Sequence, residues 1–297
     1  MPERYPQRIC NKEIVLTEAH ASELAEEMKL GLQRGHLLEI DDNRIKLLIA
    51  GLGDRRGLIR RTFAEALGFI GKPAVPALRH ALLKHSNVIV RRASAKTLKL
   101  TGDRSALPDL YEALSKDQDP VVQGSAAGAM AIFGEEAVRY LFKVLVGPNS
   151  TAMQCGLASW SLSFIGAEAS DALLEAAQSE KPKIKAAAIA ALGDQIQSLG
   201  DEEAKHVVIS SLNDPALEVR IEATKLLGKL NDQESLARPL LIKQLSDKNV
   251  EVRKSAALSL MQIRSKDSID DLQKIYIRER DIEVVNIVKL AISQLSK

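Results

Sequence analysis

Apolar residues in this chain recur three, four and seven positions apart, and the whole pattern then repeats. Each repeat has an anchor seven positions before a Leu, Met or Ile: Arg60, Arg91, Gln123, Cys155, Lys185, Arg220, Arg253 and Val285. The matched residues are Leu67, Leu98, Met130, Leu162, Leu192, Leu227, Leu260 and Ile292. Successive anchors lie 31, 32, 32, 30, 35, 33 and 32 residues apart. A period near this length fits two short helices and two turns. The pattern predicts an all-α fold, a right-handed α-solenoid of about eight helix-pair repeats. Residues 42–297 form the solenoid as a single domain, and residues 1–41 form a tail and capping helix.

Each anchor falls in the second helix of a pair. First helices are predicted between anchors, for example at Ala74–Leu83, Ala106–Leu114, Leu236–Leu245 and Ile269–Ile277. Gly71, Gly102, Gly134 and Gly166 are placed to stop four second helices, where a left-handed residue ends the hydrogen-bond ladder. Asp119–Pro120 and Asp214–Pro215 mark turns that lead into second helices, with proline in the first helical turn. Before the first anchor come a tail (1–16), a helix from Thr17 to Arg34 and a first-helix partner at Asp42–Leu52. The polar end of the last helix, Asn286–Lys297, caps the stack. No segment has the alternation of a strand.

Composition agrees. Aromatics make up 3% of the chain, so its core is built from Ala, Leu, Ile and Val, which suits close helix packing. Net charge is +2 and excludes no class of partner. Cys10 and Cys155 are too few for a disulfide framework and point to a reducing, cytoplasmic compartment. The first thirty residues lack an apolar secretory core, and no run is long enough to span a bilayer, so a soluble intracellular protein is expected.

Buried positions of the second helices are expected at −1, +3, +4, +7 and +10 from the anchor, which leaves +1, +5 and +8 on the open side. These three columns read Arg61, Glu65, Gly68; then Arg92, Lys96, Lys99; Gly124, Gly128, Ala131; Gly156, Trp160, Ser163; Ala186, Ala190, Gly193; Ile221, Lys225, Gly228; and Lys254, Leu258, Met261. The middle of that wall is nearly bare, with one indole standing in it. Glycine inside a helix costs about 1 kcal/mol against alanine. Gly124, Gly128 and Gly156 therefore ask for a reason: either a ligand lies close, or neighbouring helices pack tightly. A flat conjugated molecule fits such a floor beside Trp160, its carboxylates reaching Arg61, Arg92 or Lys96. Six of the ten aromatics fall between residues 111 and 164, with Phe133 in a core column and Phe142 and Phe164 able to join it. Residues 55–104 hold twelve Lys and Arg against two acids, whereas 111–180 hold three against nine. That asymmetry favours a charged partner at the basic end.

One segment resembles a known family. The run GLIRRTFAEALGFIGKPAVPALRHALL, followed by VRRASAKTLKLTGDRSALPDLYEAL, is similar to the HEAT-like repeat of phycobilisome lyases, with V-R-x-x-A-x-x-L, a helix-ending Gly and A-V/L-P-x-L-x-x-A-L. The chain looks like the E/F-type bilin lyases in length and repeat style. That resemblance implies attachment of a linear tetrapyrrole, a phycobilin such as phycoerythrobilin, to a cysteine of a phycobiliprotein subunit through a thioether. In that reading the bilin is the substrate, and the protein has no cofactor of its own. The compartment is a cyanobacterial cytoplasm or a plastid stroma. Trp160 is expected to stack on the bilin, while Asp117 or Asp119 contacts its pyrrole N–H groups and Tyr140 donates a proton. The alternative is a non-catalytic HEAT-repeat adaptor for phycobilisome disassembly or cofactor-protein assembly, docking through Arg61 and Arg92.

Cys155 takes the anchor place that Arg holds in four repeats, and is either a reactive thiol at a helix start or a small residue filling a gap. In the lyase reading the essential thiol is the acceptor's. The five histidines show no HxxxH or HExxH spacing, so no metal site is expected. There is no phosphate-binding GxxxxGK[ST], and Gly124-Ser-Ala-Ala-Gly128 lacks the spacing of a nucleophile elbow. The Arg pairs at 55–56, 60–61 and 91–92 can face phosphates but lack interleaved aromatics, so nucleic acid is not the expected partner.

Overall fold

A computed structural model describes residues 13–37, 40–193, 195–230 and 234–297. Cys10 and most of the tail lie outside them. The described residues are helical throughout, with no strand among them. Two compact units divide the chain, Met1–Phe133 and Gly134–Lys297.

The first unit contains α1 (Glu18–Gln33), α2 (Asp42–Gly51), α3 (Gly57–Ile70), α4 (Val75–Lys84), α5 (Val88–Thr101), α6 (Leu107–Lys116) and α7 (Pro120–Met130). First helices α2, α4 and α6 form one row, and α1, α3, α5 and α7 form the other. The capping helix α1 thus occupies a second-helix place. In the second unit the pairs are α8 (Glu135–Val146) with α9 (Ala152–Ile165), α10 (Ser170–Ala176) with α11 (Pro182–Ala191), α12 (Glu202–Ser211) with α13 (Leu217–Leu227), α14 (Glu234–Gln244) with α15 (Val250–Gln262), and α16 (Ile269–Arg278) with α17 (Ile282–Leu295). Helices α9, α11, α13, α15 and α17 pack side by side in that order.

The helix stops follow the sequence reading, since Gly71, Gly102, Gly134 and Gly166 all have positive φ. Arg264, with φ 54°, takes the same role after α15 without glycine's freedom. Pro120 opens α7 behind the cap Asp119, but Pro215 lies two residues ahead of α13, in the turn rather than in the first helical turn. The 35-residue step between Lys185 and Arg220 is absorbed by a π turn, Gln195–Leu199, closed by Gly200 at φ 66°. Seven of the eight +7 residues are buried, and Ile292, in the terminal helix, is half-buried. A further column at +6, not expected, is buried in every repeat: Ala66, Thr97, Ala129, Ser161, Ala191, Leu226, Ser259 and Ala291. Its mostly small side chains let neighbouring second helices approach closely.

The anchor column ties repeats together. Arg91 Nη1 donates to the His85 and Ser86 carbonyls, and its Nε and Nη2 donate to Asp117 at 2.8 and 3.1 Å. Arg220 repeats this with the Asp214 carbonyl at 2.9 Å and Asp247 at 3.0 Å. Arg253 does the same with the Asp247 carbonyl and Glu279, and Lys185 reaches Asp214 at 2.6 Å. Arg91, Arg220 and Arg253 thus close their own turns from inside and each grip a carboxylate in the next one. Among the described residues, Arg60 and Gln123 bond only their own turns. Arg253 holds the Glu279 carboxyl below the usual carboxylate range, and Asp117 raises the Arg91 guanidinium.

Candidate functional site

Helix α9 departs from this plan at its anchor. A cysteine sulfur cannot span to two carbonyls and a distant carboxylate as guanidinium does. The turn before α9 is instead held by a capping box: Gln154 N–H donates to Thr151 Oγ1 at 3.2 Å, and Thr151 N–H to Gln154 Oε1 at 2.9 Å. Where an anchor side chain would lie, a cleft of about 620 Å³ opens over α9, α11 and α13. Cys155, Ser159, Ala186, Ala187 and Ala190 line it, with Lys183, Glu218 and Glu222 also in its wall. Its volume lies in the range of small-molecule sites. A cleft of about 730 Å³ on α8 and α10 carries Glu135, Glu136 and Glu175 against a single Arg139, a poor match for an anionic ligand.

Trp160 stands on α9 with 53% of its surface exposed, its ring 5.8 Å from that of Phe164 one turn on. One turn earlier, a Cβ at Gly156 would meet nothing within 4 Å. Gly156 and Trp160 therefore form an open, flat stretch of helix surface. Phe164 is exposed rather than a core residue. Other glycines of the expected wall serve packing. A Cβ at Gly68 would lie 2.8 Å from Leu100 Cβ, and one at Gly228 would lie 2.8 Å from Ser259 Cα. Gly124 and Gly128 are half-buried on α7 in the first unit.

The sequence placed the open face one position off. The most exposed columns are −2, +5 and +9, which share one side of a helix, while Ala131, Ala186 and Gly228 in the +1 and +8 columns are buried. That rotation is why Lys183, Glu218 and Glu222 were missed. The signal was available in the −2 column, which is apolar from Leu58 to Met153 and charged from Lys183 onward. Asp117 and Asp119 serve the fold: Asp117 holds Arg91, and Asp119 Oδ1 accepts from the Val121 and Val122 N–H groups as the α7 cap. Tyr140 lies on α8, with Arg139 and Lys143 4.9 and 5.3 Å from its ring centre. Arg61 pairs with Glu65 at 2.6 Å, while Arg92, Lys96 and Lys99 carry no ion pair among the described residues. Among the described residues no group of acidic, His and Cys side chains is arranged to hold a metal, and no helix is long and apolar enough to cross a membrane.

A stack of helix pairs with a conserved plan of anchors and a cleft over its second helices defines a HEAT-repeat protein. The chain matches the HEAT repeats family over residues 75–154, 170–238 and 207–293, and belongs to it. It also matches the PBS lyase HEAT-like repeat over residues 59–84. The chain is 45% identical to the bilin biosynthesis protein MpeU of Synechococcus sp. (strain WH8020) over 282 residues, 95% of each chain, and belongs to the same family. Among solved structures, a Kap121p mutant aligns with a TM-score of 0.58 at 14% identity, over 93% of this chain and 35% of that one. That likeness concerns the fold alone.

Proposed function

We propose that this protein is a bilin lyase, or a lyase-like bilin chaperone, that attaches a linear tetrapyrrole to a cysteine of a phycobiliprotein subunit. The observation that carries the reading is the small-residue cleft on α9, α11 and α13, edged by the exposed helix that bears Gly156 and Trp160. Membership of the MpeU family supports the choice of ligand. Bilin rings lie over the alanine floor and against the indole, where stacking and apolar contact hold them without directional demands. Glu218 and Glu222 accept hydrogen bonds from pyrrole N–H groups and stabilise a protonated ring system, the role first expected of Asp117 and Asp119. Lys183 pairs with a propionate.

In the transfer step the acceptor's thiol adds across an exocyclic double bond of ring A. One S–C bond forms, one C=C π bond breaks, and the thiol proton ends on the neighbouring carbon, so no oxidant or reductant is consumed. The scaffold's contribution is orientation, worth about 7–11 kcal/mol in favourable cases. Cys155 lines the floor and is not the nucleophile. The test is to mix the protein with phycoerythrobilin and record its absorption, then co-express both with candidate phycobiliprotein subunits and weigh the chromopeptides. A shifted band that weakens in Trp160→Ala, together with chromopeptide formation, is expected. An unchanged spectrum removes the reading and leaves the adaptor.

A further inference from the structure

The −2 and +9 columns of the second helices change character along the chain. In the first unit they read Leu58 and Phe69 on α3, Ile89 and Leu100 on α5, then Val121 and Ile132 on α7 and the turn after it. On α9 the same places still hold Met153 and Phe164, whereas the repeats of α13, α15 and α17 put Glu218 and Lys229, Glu251 and Gln262, Glu283 and Gln294 there. A solvated surface has no use for six aliphatic or aromatic side chains at matched positions on three consecutive helices. Leu58 is 80% exposed, and Phe69, Leu100, Val121 and Ile132 are each about half-exposed.

These side chains form two rows, the −2 residues at the helix starts and the +9 residues about 16 Å further along, with Glu65, Lys96 and Gly128 of the +5 column between them. Helices α3, α5 and α7 pack side by side, and Leu100 sits against Gly68, next to Phe69. Cations lie beside the +9 row: Lys96 and Lys99 on α5 are exposed and Arg92 is half-buried, none of them in an ion pair among the described residues. Half-covered side chains make a floor, whereas insertion into lipid calls for side chains that project. An apolar floor with a cationic margin matches an amphipathic helix whose apolar face is flanked by carboxylates.

We infer that the α3–α5–α7 face of the first unit is a docking surface for an acidic amphipathic helix of a partner protein. The surface lies wholly within that unit, so the inference stands whether or not α9 seats a bilin. The partner's leucine-type residues lie over Phe69, Leu100 and Ile132, and its carboxylates meet Lys96, Lys99 and Arg92.

The probe is an 18-residue peptide with a leucine face flanked by glutamates, compared with the same peptide carrying lysines and with a scrambled acidic one. Binding to the full-length protein is followed by fluorescence anisotropy. The acidic helix peptide is expected to bind at least tenfold tighter than either control, and to weaken as salt rises. A Phe69→Ser/Leu100→Ser variant loses at least tenfold, and Lys96→Glu/Lys99→Glu inverts the preference between acidic and basic peptides. Circular dichroism checks that both variants stay folded, and an unchanged bilin spectrum separates this surface from the cleft. Equal binding of all three peptides, no binding, or variants that bind like the wild type overturn the inference. So does sedimentation with anionic phosphatidylglycerol vesicles that Phe69→Ser/Leu100→Ser abolishes, since the face then meets lipid.

Discussion

Replacing Gly156 by alanine is expected to raise stability and lower bilin affinity in one substitution. Gly156 lies inside α9, where a glycine gives away about 0.5–1 kcal/mol relative to alanine through its extra freedom in the unfolded chain. Nothing stands within 4 Å of the added methyl, so no steric cost offsets that gain. For folding units of this size the midpoint of thermal unfolding rises by about 2–4 °C per kcal/mol, which predicts a gain of roughly 1–4 °C. The same methyl lifts a planar ligand off the helix surface beside Trp160. A tenfold loss in affinity, about 1.4 kcal/mol, is expected in a titration with phycoerythrobilin. Gly228→Ala is the control, because its Cβ would fall 2.5 Å from Ser259 Oγ and 2.8 Å from Ser259 Cα, and backbone must move. It is expected to destabilise by about 1–3 kcal/mol. If Gly156→Ala is stabilised and binds bilin as well as the wild type, the glycine is not kept for a ligand. If it is destabilised, the open space at α9 is not there in solution.

Further outcomes follow from the anchor column and the helix stops. Cys155→Ser is expected to keep the bilin spectrum and chromopeptide yield, whereas Cys155→Arg fills the cleft and abolishes the shifted band. Arg253→Met removes the hydrogen bonds that depress the Glu279 carboxyl, at a cost of about 2 kcal/mol near neutral pH by urea denaturation. Because the folded form of Glu279 titrates below its unfolded value, that contribution is full above the usual carboxylate range. It disappears as pH falls through the depressed value, so wild type and Arg253→Met converge in acid; a gap that widens there contradicts the pairing. Arg264→Gly relieves a left-handed non-glycine residue and is expected to add about 1 kcal/mol of stability, read as a higher unfolding midpoint.

The repeat, its helix pairs and its glycine stops were legible because each follows from local spacing and backbone sterics. Gly102 needs only its own φ of 65° to end α5. The open face was legible only in part. An ideal helix turns about 100° per residue, so a choice of buried columns that omits +6 swings the outward face away from −2 and +9. The bare stretch with its indole was found, since +5 lies in both versions of that face. The cleft wall at Lys183, Glu218 and Glu222 was not. The roles of Asp117 and Asp119 were hidden for a different reason: their partners are an arginine 26 residues away and backbone N–H groups, and neither shows in a column of side chains.

Cys155 links the anchor column to the cleft. In the repeats anchored by Arg91, Arg220 and Arg253, the anchor bonds its own turn and clamps the next repeat. The cleft of about 420 Å³ at the Arg220 turn is walled by Asp214, Arg220 and Asp247, charged groups already paired within the scaffold. At α9 the clamp is absent, a capping box holds the turn at lower bulk, and the following second helix, α11, is built from alanines. Loss of a clamp alone would merely weaken the stack. Loss of a clamp beside an alanine helix, one turn from an exposed indole, makes a recess with a flat wall. In the proposed reading, a bilin seated in that recess supplies contact that the missing clamp would have made. Bound bilin is therefore expected to stabilise the second unit against unfolding by an amount set by its concentration over its dissociation constant, about 2.7 kcal/mol at a hundredfold excess. Hydrogen exchange should locate that protection in α9 and α11; protection confined to α1–α7 would put the ligand elsewhere.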